Sequence, residues 1–239
     1  MSFRFLLWTA LISLMISGAA GWFFTGKREP TPEQKSFLEY RRILQDSRAK
    51  AEAGTGEDWV AYGKAMLKGP PTLQNPEHAM TWFRKGADQG YVPAQVEVGK
   101  LYAEGKGVPQ NYHRAMEWFQ LAARLSDNAE AHFQVAEGYF RGHGVPQDYG
   151  TAVPHYLKAA EQGHPISQYI IGSMYEAGWG VEQDLIEAWL WYKQAEPHAA
   201  MIMAHAPEYD IKLAIERAAA QMNDSQRLVA ERRLAKLKS

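Results

Sequence analysis

The sequence predicts an all-α protein, a right-handed α/α superhelical solenoid of four repeats preceded by an N-terminal transmembrane helix. Three observations predict it: an uncharged apolar run near the start, a motif that recurs every 36 or 37 residues, and turn chemistry that marks two helices in every copy. Of 239 residues 46% are hydrophobic, enough to bury a substantial core. Lys and Arg total 26 against 27 Asp and Glu, so no nucleic-acid partner is expected. Cysteine is absent, which excludes disulfides, thiolate catalysis and Cys-based zinc sites.

Residues 1–28 form the first region. Residues 5–24 carry no charge and are flanked by Arg4 and by Lys27 and Arg28, a length that matches a hydrocarbon core of roughly 30 Å. Gly18 and Ala20 suit the cleavage site of a signal peptide, whereas Trp22, Phe23 and Phe24 prolong the run like an interfacial aromatic belt. A retained single-pass anchor is therefore expected, with cleavage and secretion as the alternative. Lys27, Arg28, Lys35, Arg41 and Arg42 outnumber Arg4, and a positive-inside count alone keeps the body in the cytoplasm.

Residues 29–56 are a linker and one helix. Thr31 supplies an N-cap, Pro32 the first helical position and Gln34 a capping-box partner. Phe37, Tyr40 and Leu44 recur at helical spacing, and Gly54 and Gly56 end the element.

Residues 57–196 hold the four repeats. Gly-x-Gly-Val occurs at residues 105–108, 142–145 and 178–181, with a degenerate copy at Gly69, Pro70 and Pro71. In register with it run Met66, Tyr102, Tyr139 and Tyr175, the small residues Gly63, Gly99, Ala136 and Gly172, and Ala79, Ala115, Ala152 and Ala188. Asn75, Asn111, Asp148 and Asp184 stand just before the second helix of each copy, where a side-chain oxygen can bind an orphan amide. Each copy thus decodes as two helices joined by a glycine loop, for example 94–104 and 112–123. One hairpin cannot bury its apolar face alone, but four stacked hairpins can. Pro154, six positions after Asp148, deletes a helical hydrogen bond to the Gly150 carbonyl and predicts a kink.

Residues 197–239 read as capping helices. Pro197 and Pro207 bracket a short Met-rich helix, Ile211, Ala214, Ile215, Ala218 and Met222 mark a longer one, and Asn223 opens a charged helix with Leu228, Leu234 and Leu237.

Residues 94–123, with Ala94, Gln95, Gly99, Tyr102, the Gly105-Lys-Gly-Val-Pro-Gln-Asn-Tyr112 turn, Ala115, Trp118 and Phe119, resemble the Sel-one-like repeat family, relatives of tetratricopeptide repeats. Residues 142–163 repeat the match, which covers about 57–195. The resemblance implies an α/α superhelix that serves as an adaptor or scaffold for protein complexes, often in bacterial envelopes. From it comes the expectation that the repeats are periplasmic, with a cytoplasm-facing body as the alternative. Some members are cysteine-rich and disulfide-stapled, and this chain departs from that subgroup.

The glycine turns follow helices and lack a P-loop lysine, so they read as loops and not phosphate cradles. His132 and His155 hold positions filled elsewhere by Gln95 and Trp118, and no His-Glu-x-x-His occurs. No catalytic residues, resident metal, cofactor or small-molecule substrate are expected. Two alternatives stand beside the scaffold: an envelope hydrolase or cell-wall-modifying enzyme, and a copper-handling module on His198, Met201, Met203 and His205. The face expected to bind a partner peptide or helix is a stripe on the first helices: Glu97, Lys100 and Glu104, then Gln134, Glu137 and Arg141, then Ile170, Ser173 and Ala177. Against it stands a merely solvated face. Phe140 and Trp179 are large apolar residues near loops and hot-spot candidates. For Trp179 the competing expectation is packing against the C-terminal helices.

Overall fold

The computed structural model describes residues 30–237. The expected membrane segment lies outside them. Among the described residues, no helix is long and apolar enough to cross a membrane. The chain divides after Ile43 into two units, and the repeats with the helices beyond them lie wholly in the second.

Helix α1 (Pro32–Ala53) begins in the first unit with the predicted capping box: the Thr31 amide donates to Gln34 Oε1 at 3.0 Å and the Gln34 amide to Thr31 Oγ1 at 3.2 Å. Its last ten residues belong to the second unit, where Trp59 Nε1 donates to the Ala51 carbonyl at 2.9 Å. Four hairpins follow: α2 (Gly56–Leu67) with α3 (Pro76–Ala87), α4 (Val92–Glu104) with α5 (Tyr112–Leu125), α6 (Ala129–Arg141) with α7 (Tyr149–Glu161), and α8 (Pro165–Ala177) with α9 (Leu185–Ala195). Each helix packs on its neighbours in sequence, the pattern of a helical solenoid.

Each second helix is capped as predicted. The side chains of Asn75, Asn111, Asp148 and Asp184 accept from the amides of His78, Arg114, Thr151 and Glu187 at 2.9–3.2 Å. Such caps contribute about 1 kcal/mol each. Their own amides donate back to the carbonyls of Met66, Tyr102, Tyr139 and Tyr175, fixing the angle of every hairpin. A second clamp lies one residue earlier. Gln74, Gln110, Gln147 and Gln183 donate from Nε2 to the carbonyls of Gly69, Ala103, Phe140 and Glu176 at 2.8–2.9 Å.

The glycine turns do two jobs. The first glycine ends the helix in the left-handed region, as at Gly105 with φ 68°. The second sits on the preceding repeat: a Cβ at Gly107 would lie 2.5 Å from the Pro76 carbonyl carbon, and one at Gly144 2.3 Å from the Tyr112 carbonyl oxygen. Mid-helix Gly99 likewise admits the Phe119 ring. A further stitch joins repeats: the buried Gln95 and Gln168 donate to the Ala87 and Ala160 carbonyls, as Trp59 does to Ala51 from the equivalent position.

Pro154 does not break its helix, and α7 runs from Tyr149 to Glu161. The carbonyl it deprives belongs to exposed Gly150, where water can replace the lost bond. Beyond α9 come α10 (Ala199–His205), α11 (Ile211–Gln221) and α12 (Asp224–Leu237). Helix α10 packs on α8, α11 on α8 and α9, and α12 on α9. Ile211, Ala214, Ala218 and Met222 are buried as their spacing predicts. In α12 the buried residue is Ala230, while Leu228 and Leu237 are exposed.

Candidate protein-interaction surface

The stripe expected on the first helices is an ion-pair ladder between repeats. Lys64 of α2 meets Glu97 of α4 at 3.0 Å, and Lys100 of α4 meets Glu130 of α6 at 2.7 Å. Glu130 also accepts from Gln134 at 2.9 Å and lies 3.6 Å from His164 Nε2, at the start of α8. Burial opposes ionisation of Glu130, but His164, Lys100 and Gln134 together outweigh it and hold the carboxyl well below the usual range. Glu104 pairs with Lys106 at 2.7 Å. Sequence spacing found Glu97, Lys100, Glu104 and Gln134 but missed Lys64, which holds the Lys100 position in the degenerate first repeat, and Glu130 and His164, which lie off the i, i+3, i+7 register and are joined only by stacking.

The fourth repeat and part of the third depart from the expected groove because the chain covers them itself. Glu137 accepts from Arg141 Nε and from the buried Tyr156 hydroxyl, both at 2.5 Å, and both lie in the field of Tyr209, just beyond α10. Tyr209 stacks on Tyr169 of α8 at 4.6 Å between centroids, and His205 meets the Phe133 ring edge-on at 6.3 Å. Ile170, expected to face a partner, is 2% exposed and shares a core cluster with Ile202 of α10. It is withdrawn from the binding surface, since the chain's own terminal segment packs on that helix. Ser173 is half-buried and donates to the Ile170 carbonyl at 2.7 Å. The remaining open part of the stripe belongs to repeats one to three.

The two aromatic candidates come together. Trp179 stacks on Tyr149 at 5.8 Å with planes 16° apart and lies 6.1 Å from Phe140, which meets Tyr156 edge-on. Trp179 thus packs its ring on the preceding repeat, and it stays 45% exposed. His143 stacks on Tyr112 in the same way one repeat earlier, at 4.3 Å.

The terminal helices are anchored at Glu176, which is nearly buried. It takes two bonds from Arg217, at 2.6 and 2.7 Å, one from the Tyr192 hydroxyl at 2.8 Å and one from Gln221 at 3.0 Å. Burial works against the charge, yet Arg217, Tyr192 and Gln221 hold the Glu176 carboxyl below its ordinary value.

On the second-helix side, His132 Nδ1 faces His155 Nδ1 at 2.9 Å, and His132 Nε2 meets Asp127 at 3.0 Å. Burial, the neighbouring histidine and Lys158 push His155 down to about 4, so the pair is neutral near pH 7. Among the described residues no group of three His, Cys, Asp or Glu is placed to hold a metal. In the segment considered for copper, Met201 and Met203 are exposed, and Ile202 is the residue that fills the core.

Stacked hairpins with this turn, cap and ring-on-glycine pattern define a class, the α-solenoids of paired helices. Within that class the chain belongs to the Sel1 repeat family: the Sel1 repeat model matches residues 60–91, 92–127, 129–164 and 165–196, more than half of the chain. Among solved structures it is similar to a Sel1 repeat protein from Oxalobacter formigenes, at 26% identity and a TM-score of 0.58, covering 79% of this chain and 82% of that one. It is also similar to c5321, a protective antigen of uropathogenic Escherichia coli strains with an SLR fold, at 27% identity and a TM-score of 0.43, covering 81% of this chain and 51% of that one. No curated protein is significantly similar.

Proposed function

We propose that the chain is a non-catalytic scaffold that binds a protein partner, as a peptide or a helix, on the first-helix face of repeats one to three and on the Trp179 ring that packs against repeat three. In this proposal residues 5–24 hold it at the membrane of a bacterial envelope, with the repeats in the periplasm. The observation that carries the proposal is the partly exposed ladder of Lys64, Glu97, Lys100 and Glu130, which remains open where the chain's own α10 covers the corresponding face of repeat four. Rigid helices present these charges at repeat spacing, and such a face suits a complementary helix or extended segment. Membership of the Sel1 repeat family supports the same function.

Affinity capture with the full-length chain tests it. Lys100→Glu and Trp179→Ala are expected to reduce recovery of a specific partner at least tenfold while the circular dichroism spectrum is unchanged. Equal recovery by both variants refutes the assigned surface. A topology reporter fused after Ser239 tests the orientation: activity confined to the cytoplasm refutes periplasmic placement.

A further inference from the structure

We infer that a hollow between repeats two and three is the anchor pocket of this surface, and that it receives a Leu, Met or Phe side chain of another protein with a basic residue beside it. The inference deepens the scaffold function proposed above and rests on it.

The argument comes from comparing equivalent positions along the chain. At the junction of repeats one and two, Leu67 and Leu101 occupy two facing register positions. At the junction of repeats three and four the same positions hold Phe140 and Met174. Leu101 is 2% exposed and Met174 fully buried, while Leu67 and Phe140 pack against the two core clusters. At the middle junction both positions are small, Ala103 and Gly138, and both line a hollow of about 50 Å³ that opens to solvent. The hydrogen bonds that set hairpin geometry are the same at all these junctions, so the space reflects missing side-chain volume. Met116 leans toward part of it: a Cβ at Gly138 would lie 2.8 Å from its sulfur. A thioether on a flexible stem is easily displaced by an entering group.

The lining also selects the chemistry of the occupant. Phe119, Met116 and Ala115 are apolar. The Gln134 amide is engaged by Glu130, two Glu137 acceptor sites by Tyr156 and Arg141, and the Tyr112 hydroxyl by Gln110, so apart from His143, which stacks on Tyr112, the polar lining is already engaged and a free polar ligand finds few donors to orient it. An apolar side chain needs none. Glu137 is the one formally charged lining residue and keeps unused lone pairs, and no Lys or Arg lines the hollow. A basic residue next to the apolar anchor is the complement.

The test uses the full-length chain and fluorescent helical Lys/Ala peptides of 16 residues carrying a single central Phe, Leu or Ala. The Phe and Leu peptides are expected to bind at least tenfold more tightly than the Ala peptide. Ala103→Phe, which supplies from within the side chain that repeat three carries, is expected to abolish that preference with no loss of thermal stability. Ala103→Leu, copying the first junction, is expected to do the same if the larger ring impairs folding. Equal affinity for the Phe and Ala peptides, or an undiminished preference in folded Ala103→Leu, overturns the inference. A captured partner that depends on Lys100 but is indifferent to Ala103→Leu also overturns it while leaving the scaffold function standing. A concentration-dependent dimer of this chain that Ala103→Leu dissolves overturns the choice of a foreign partner.

Discussion

Removing Arg217 tests how the terminal helices are held. Glu176 is 9% exposed and Arg217 50% exposed, and the pair is bidentate. Taking one partner from a fully buried ion pair costs about 3–5 kcal/mol. Here Arg217 is half in water, and Tyr192 and Gln221 still donate to Glu176 after its loss, so the cost of Arg217→Ala falls to about 2 kcal/mol. For a domain of this size that is a fall of about 4–8 °C in melting temperature. Thermal unfolding by circular dichroism measures it, and hydrogen exchange is expected to show the amides of α11 losing protection before those of the repeats. The pH dependence has a definite sign. The folded carboxyl titrates below its ordinary value of 4.5, so its stabilisation is full above that pH and is lost as pH falls through the lower folded value. The gap between wild type and Arg217→Ala should therefore begin to narrow below about pH 4.5 and go on narrowing as the pH falls through the folded value. A variant that melts within about 1 °C of wild type at pH 7 would show that apolar burial of Ile211 and Ala214 holds the cap unaided.

Three further outcomes are expected. Gly107→Ala forces a Cβ against the Pro76 backbone at φ 70° and should cost about 3 kcal/mol, whereas Gly90→Ala, at φ 78° with open space around it, should cost about 1 kcal/mol; chemical denaturation of both separates close approach from backbone strain. The His132–His155 pair should make the fold acid-sensitive: histidines with depressed folded values stabilise above about 6.5, and the contribution is lost as pH falls toward about 4. Melting curves from pH 7 to 4.5 check this, and His155→Trp, copying Trp118 and Trp191, should flatten the dependence. Gln147→Leu removes the bond to the Phe140 carbonyl and should cost about 1 kcal/mol, measured by denaturant titration, with the exposed carbonyl recovering part of its bond from water.

The repeat made most of the fold legible in the sequence. Four caps, four alanines and three Gly-x-Gly turns in one register require paired helices, because only that arrangement uses a cap, a left-handed turn and a 3.6-residue apolar period together. The candidate surface was legible in part. Phe140 and Trp179 stand out by size alone, and Glu97 and Lys100 by period. What periodicity cannot show is which equivalent positions meet something outside their own hairpin. Ile170 holds the same register position as Glu97, yet it is buried because α10 turns back onto α8.

The sequence by itself determined the hairpins, their caps and their order, since these rest on contacts within about forty residues. Only the tertiary structure decided that Glu130 joins Lys100 to His164, that Arg217 seeks Glu176 across 41 positions, and that the middle junction is left hollow. The physical reason is that local hydrogen bonds are written in neighbouring residues, whereas unfilled volume and charge pairing exist only once distant faces are pressed together.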